Sequence, residues 1–115
     1  MDVDGLWTVE GQTLEGWPVS GVMIFVRNQV FGGNDRYYCL GRYRPQGHII
    51  EIDTHLYHYH GATHSYLAGS TPDFALHFRG RVMMESDMIE AEVNRAEDPY
   101  PRYPATLLRR VRLGI

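Results

Sequence analysis

HIIEIDTHLYHY, residues 48–59, decides the fold class. Its even positions are Ile50, Ile52, Thr54, Leu56 and His58, and its odd positions include Glu51, Asp53 and His55. Successive side chains of a strand point to opposite faces, so apolar–polar alternation marks a half-buried strand. The stretch therefore predicts a long strand whose even face looks inward. No window longer than a turn or two holds apolar residues at helical spacing, so little helix is expected.

The same period recurs on both sides. DFALHFRG (73–80) sends Phe74, Leu76 and Phe78 inward and His77 and Arg79 outward. DMIEAEVNR (87–95) sends Ile89, Ala91 and Val93 inward and leaves Glu90 and Glu92 to solvent. TLLRRVRL (106–113) is the expected last strand, with Leu107, Val111 and Leu113 on one face. Upstream, LWTVE (6–10) pairs Trp7 with Val9, and RYYCLGRY (36–43) places Tyr37, Cys39 and Tyr43 together, opposite Arg36 and Arg42. GVMIFVR (21–27) is apolar on both faces. FGGND (31–35) and RPQG (44–47) carry turn residues, and Glu85 and Asp87 fall in another turn. GATHSYLAGSTP (61–72) is loop-like. EDPYPRYP (97–104) has three prolines and predicts an extended connection. The sum is roughly seven or eight short antiparallel strands, an all-β chain that hides its edges best by closing into an up-and-down barrel.

At 115 residues, with 43% hydrophobic and 22% charged, the chain fits one globular domain spanning residues 1–115. No apolar run reaches the roughly 20 residues of a membrane helix. The start has no basic segment followed by an apolar one, so no secretory signal is expected. Cys39 has no second cysteine to pair with, which points to a reducing, cytoplasmic setting. The net charge is −3 and all 11 basic residues are arginines, mostly scattered. Only Arg109, Arg110 and Arg112 cluster, too few for the many phosphate contacts of nucleic-acid binding.

Gly5-Leu6-Trp7 opens the first strand as G-x-W, and an arginine (Arg109, Arg110 or Arg112) sits in the last. This resembles the lipocalin-like, or calycin, barrels, in which a first-strand tryptophan closes the barrel base under a last-strand arginine. A guanidinium on an indole face gains a cation–π contact. Parity selects Arg109, on the face of Leu107 and Val111. More of the chain is similar to the family of GrlR, the negative regulator of a type III secretion activator. The resemblance rests on the order of GLWTVE, GVMIFVRNQVFGGND, RYYCLGRY and the long strand ending in HYHG. Its matched positions are Gly21–Phe25, Gly32-Gly33, Asp35, Tyr38 and Gly41 to Tyr43. It implies a small barrel with an apolar interior, a homodimer, and a role in binding rather than catalysis. The secretion regulator meets its partner through an acidic EDED stretch. The corresponding turn here, Arg44-Pro45-Gln46-Gly47, has no acid.

Three sets of candidate residues follow. An apolar ligand inside the barrel would meet Trp7, Tyr37, Tyr43, Leu56, Phe74 and Phe78, with His58, His60 and Tyr66 at the mouth. A homodimer would use the surplus face of the GVMIFV strand among Val22, Met23, Ile24 and Phe25: either Met23 and Phe25, or Val22, Ile24 and Val26. The third set is HLYHYHGATH (55–64), which holds four of the six histidines. His58 and His60, one residue apart on a strand, share a face and could hold a metal if His64 or His55 completed the site. A rim of polar aromatic rings, with Tyr57, Tyr59 and Tyr66, explains the stretch more simply. No cofactor is expected. Ser65 and Ser70 lack a nucleophile-elbow context, and FGGND precedes no helix and no GK[ST].

Overall fold

The computed structural model describes residues 2–12, 18–62 and 73–113. It is a closed barrel of eight antiparallel strands joined in sequence order. The strands are β1 (Gly5–Gln12), β2 (Pro18–Val26), β3 (Gln29–Gly33), β4 (Tyr37–Gln46), β5 (Ile49–His58), β6 (Asp73–Met83), β7 (Met88–Arg95) and β8 (Asp98–Arg112). A 3-10 turn, Met84–Ser86, links β6 to β7. β8 pairs with β1 and closes the sheet, so no edge remains open.

Alternation sorts the side chains to the two faces as the period of two predicts. Ile50, Ile52 and Thr54 of β5 are buried, as are Phe74, Leu76 and Phe78 of β6 and Ile89, Ala91 and Val93 of β7. Trp7, Phe25, Val30, Tyr37, Tyr43, Tyr103 and Leu107 complete much of the core.

The turn assignments change. FGGND is not a hairpin turn in itself: Phe31-Gly32-Gly33 finish β3, and the reversal into β4 falls at 34–36. Asn34 Oδ1 makes that bend by accepting from the backbone N–H of Arg36 and Tyr37. A tight turn with no glycine to mark it, Arg27-Asn28, joins β2 to β3 with φ of 49° and 68°. Two consecutive left-handed residues match the twist of a two-residue hairpin, and asparagine tolerates that region well. RPQG also extends its strand, and Gly47, at φ 63°, makes the turn with His48.

EDPYPRYP is strand rather than connection. β7 and β8 stay paired through it by a register break. Arg95 faces Asp98 and Val93 faces Tyr103, so Pro99–Arg102 loop out opposite Asn94. The excursion lifts Pro99 and Pro101 out of the ladder, where their missing N–H is not needed.

A second irregularity corrects the face of Val111. Leu6 pairs with Val111 but Trp7 pairs with Arg109, so Arg110 is the extra residue of a bulge. One inserted residue reverses parity, and Val111 stands outward at 51% exposure while Leu107 and Arg109 remain buried. The seam is tight at this point. A Cβ on Gly5, whose φ is +153°, would stand 2.3 Å from the Val111 carbonyl oxygen. Glycine is the residue that the left-handed backbone and the close approach require.

Candidate interaction face

The rings expected to line a ligand cavity lie against one another. Trp7 packs on Phe25 at 5.7 Å between centroids, and Phe25 on Tyr43 at 5.0 Å. Tyr37 meets Phe74 edge-on at 5.3 Å and the His58 ring at 5.3 Å. Phe78 belongs to the same buried cluster, and Leu56 packs against it half-buried. These rings belong to one buried cluster and pack in two groups, Trp7–Phe25–Tyr43 and His58–Tyr37–Phe74.

The barrel base brings Trp7 and Arg109 together. The Trp7 indole N–H donates to the Val3 carbonyl at 2.8 Å. The Arg109 guanidinium carbon lies 5.2 Å from the Trp7 ring centre. Arg109 also donates from Nε and Nη2 to Asp87 Oδ1, at 3.1 and 2.6 Å, and from Nη1 to the Asp2 and Asp4 carbonyls. Asp87, read from sequence only as a turn residue, is therefore the arginine's counter-charge. Its position follows from the 3-10 turn, where it is left-handed at φ 50°. Hydrogen bonding from Arg109 holds its carboxyl below the ordinary carboxylate range, with the charges of Arg109 and Arg112 adding to it. Nearby, the Tyr43 hydroxyl donates to Asp4 Oδ1. Burial, then that bond, pushes the Tyr43 phenol up to about 12. The Arg109 guanidinium and the Tyr43 hydroxyl are both spent on partners, which makes the base a clasp.

The described histidines of the stretch do not converge. β5 ends at His58, so His58 and His60 do not share a strand face. The backbone N–H groups of Tyr59 and His60 both turn to the Arg36 carbonyl. His58 Nε2 is 2.7 Å from the Gly61 carbonyl, and His60 is exposed. His64 and Tyr66 lie outside the described residues. Among the described residues no three histidine, cysteine or carboxylate side chains are placed to hold a metal ion. His77 stands on the outer face of β6 with Nδ1 2.7 Å from Asp53 Oδ1. It is part of a cross-strand charge ladder in which Arg44 and Arg79 also reach Glu51.

The outer wall of β1–β4 is different in kind. Met23 and Phe25 are buried, so of the four residues expected at an interface only Val22 and Ile24 face outward. Register extends that face across the sheet. Val111 pairs with Leu6, Leu6 with Ile24, Ile24 with Phe31, and Phe31 with Leu40, which faces His55. This is one continuous outward row from β8 to β5. Phe31 and Leu40 are 42% and 45% exposed. A neighbouring row runs Thr8–Val22–Gly33–Tyr38–Tyr57. There Tyr38 stacks on Tyr57 at 5.2 Å and tilts against Tyr59 at 6.2 Å, and Tyr57 meets His55 at 4.6 Å. An apolar row with an aromatic ladder beside it is a surface for contact, since water gains by leaving it. The sequence signal for it was the two-faced GVMIFV strand; the contributions of Phe31, Leu40 and Val111 needed the register.

No family model matches the chain, and no curated protein matches it. Its fold places it among small closed antiparallel β-barrels. Among the described residues no helix is long and apolar enough to cross a membrane.

Proposed function

We propose that this chain is a non-catalytic binding protein of the GrlR-like regulator type. In this reading it forms a homodimer through the outer wall of β1–β4 and acts in the cytoplasm on a protein partner. The observation that carries the reading is the register-aligned row Val111–Leu6–Ile24–Phe31–Leu40. A monomer would leave these five apolar side chains facing water on one contiguous wall, and such patches mark interfaces. A two-fold contact would lay the row on its own copy. The packed interior favours a protein partner over a small apolar ligand, because Trp7, Phe25, Tyr43, Tyr37 and Phe74 already occupy one another.

Sedimentation equilibrium tests the reading. Wild type should be dimeric across the micromolar range, and Phe31→Arg or Leu40→Arg should be monomeric with an unchanged far-UV spectrum. A wild type that stays monomeric at every concentration would remove the dimer from the proposal.

A further inference from the structure

Three of the chain's five methionines, Met83, Met84 and Met88, cluster at the β6–β7 turn. Met83 and Met88 face each other as the last pair of the two strands, and Met84 opens the 3-10 turn between them. All three are half-buried, whereas Met23 on β2 is only 6% exposed. Met84 packs against the hydrophobic core, while Glu85 and Ser86, which complete the turn, are exposed. The Met84 side chain is therefore the turn's apolar anchor, and it stands where the core meets water. The same turn delivers the counter-charge of the barrel base. The Met84 carbonyl accepts from the Asp87 N–H at 3.3 Å, and the Asp87 carbonyl accepts from the Arg109 N–H at 2.9 Å. Asp87 Oδ1 then takes the Arg109 guanidinium. Apart from these bonds, the Ser86 hydroxyl donates to the Met83 carbonyl at 3.4 Å, a bond within the turn itself.

We propose that Met84 is a peroxide-sensitive latch, whose oxidation to the sulfoxide frees the turn from the core and draws Asp87 away from Arg109. A sulfur lone pair attacks one oxygen of hydrogen peroxide and the O–O bond breaks. The second oxygen leaves as hydroxide and takes the proton of the first, becoming water. The sulfur is oxidised by two electrons and the peroxide is reduced by two. A sulfoxide oxygen is a polar acceptor that the hydrophobic cluster under Met84 does not satisfy, so the side chain turns out to water. Met83 and Met88 differ from it. Their neighbours Val82 and Ile89 are the inward residues of the two strands, so both methionines lie on the outer face and their sulfoxides meet solvent at little cost. Cys39 is buried and competes poorly for the oxidant. The latch is separate from the proposed dimer, because the β6–β7 turn lies off the β1–β4 wall.

Graded hydrogen peroxide on the full chain tests it, with peptide mass mapping and urea unfolding of the same samples. Native wild type is expected to gain one oxygen at Met84 while Met23 stays reduced, and its urea midpoint should fall in step with the Met84 sulfoxide. Met84→Leu, close in volume, should fold and keep its midpoint although Met83 and Met88 still oxidise. Met84→Gln, which places a polar group at the same position, should show the lowered midpoint without any peroxide. The clasp supplies a readout that lost packing alone would not move. In Asp87→Asn, where the turn no longer carries the charge, peroxide should lower the midpoint by roughly half as much or less. A Met84 that stays reduced in the folded protein would overturn the proposal, as would a midpoint that falls equally in Met84→Leu. Equal falls in wild type and Asp87→Asn would show that the loosened turn does not reach Arg109, and would overturn it too.

Discussion

The Arg109 guanidinium lies 5.2 Å over the Trp7 ring while two of its N–H groups hold one oxygen of Asp87. One side chain thus ties the first strand, the last strand and the β6–β7 turn into a single closure. The Arg109 side chain is 1% exposed, and the Asp87 side chain 35%. Arg109→Met keeps much of the apolar stem but deprives Asp87 of its main partner and two backbone carbonyls of a donor. The expected loss is about 2 kcal/mol, from the buried guanidinium's lost hydrogen bonds and not from a stranded buried charge, since Asp87 keeps access to water. Arg109→Lys should recover only part of it, since an ammonium cannot fork onto a carboxylate and stack on an indole together. Urea unfolding followed by tryptophan fluorescence measures both. A loss under about 1 kcal/mol for Arg109→Met would class the contact with surface ion pairs.

Asp87 gives the clasp an acid limit. Its carboxyl is held below the ordinary range, first by hydrogen bonding from Arg109. A depressed folded-state pKa favours folding above the unfolded value, and that contribution fades as pH falls through the unfolded value toward the folded one. The unfolded value is about 3.9. Asp87→Asn should therefore be less stable than wild type near neutrality, with the gap closing as pH falls below about 4. Chemical denaturation of both proteins in parallel from neutral to acid pH reads the gap directly, because the other carboxylates are common to both. A gap that does not change with pH would mean the aspartate acts through shape rather than charge.

Tyr43 gives the opposite limit. Burial and the bond to Asp4 raise its phenol to about 12. A raised folded-state pKa contributes stability that is complete below the unfolded value near 10 and is lost as pH climbs through the folded value. Tyrosinate absorbance of the native protein should show a late-titrating fraction that is missing in Tyr43→Phe. The variant should lose about 1 kcal/mol at neutral pH, from one partly buried hydrogen bond to a charged group. Its stability should then fall less steeply than wild type in the alkaline range. A native titration with no late fraction would show that the Tyr43–Asp4 bond does not hold in solution.

Faces were legible in the sequence, and registers were not. Alternation placed Ile50, Ile52, Phe74, Leu76, Phe78 and Ile89 inside because a strand's period is two and needs no partner to be read. It failed at Val111, where the Arg110 bulge shifts the period by one, and nothing in TLLRRVRL marks which residue is extra. It failed again at EDPYPRYP, where proline content suggests a connection, yet a looped-out excursion lets the strand resume at Tyr103. The clasp was half legible. Trp7 and Arg109 carry a residue-type signal, whereas Asp87 is brought to them by a turn, from 22 residues upstream of Arg109. The outer wall was legible only at GVMIFV, because Phe31, Leu40 and Val111 join it through strand pairing.

Cys39 tests how closed the barrel is. It is buried beside the Tyr37 and Leu56 level of the interior, facing Leu56 across the β4–β5 pair, and burial raises its thiol to about 11. Only the thiolate attacks a disulfide reagent, so at neutral pH about one thiol in ten thousand is competent even before access is counted. Cys39 in the native protein should react with an aromatic disulfide at least a hundredfold more slowly than in denaturant, roughly tracking the pKa difference from a free thiol near 8.5. Phe74→Ala, which removes a ring beside Tyr37, should speed the native reaction by opening the packing at that level. A native thiol as fast as the unfolded one would mean that the interior opens freely at this end. An apolar ligand would then regain its place beside a protein partner as the occupant to look for.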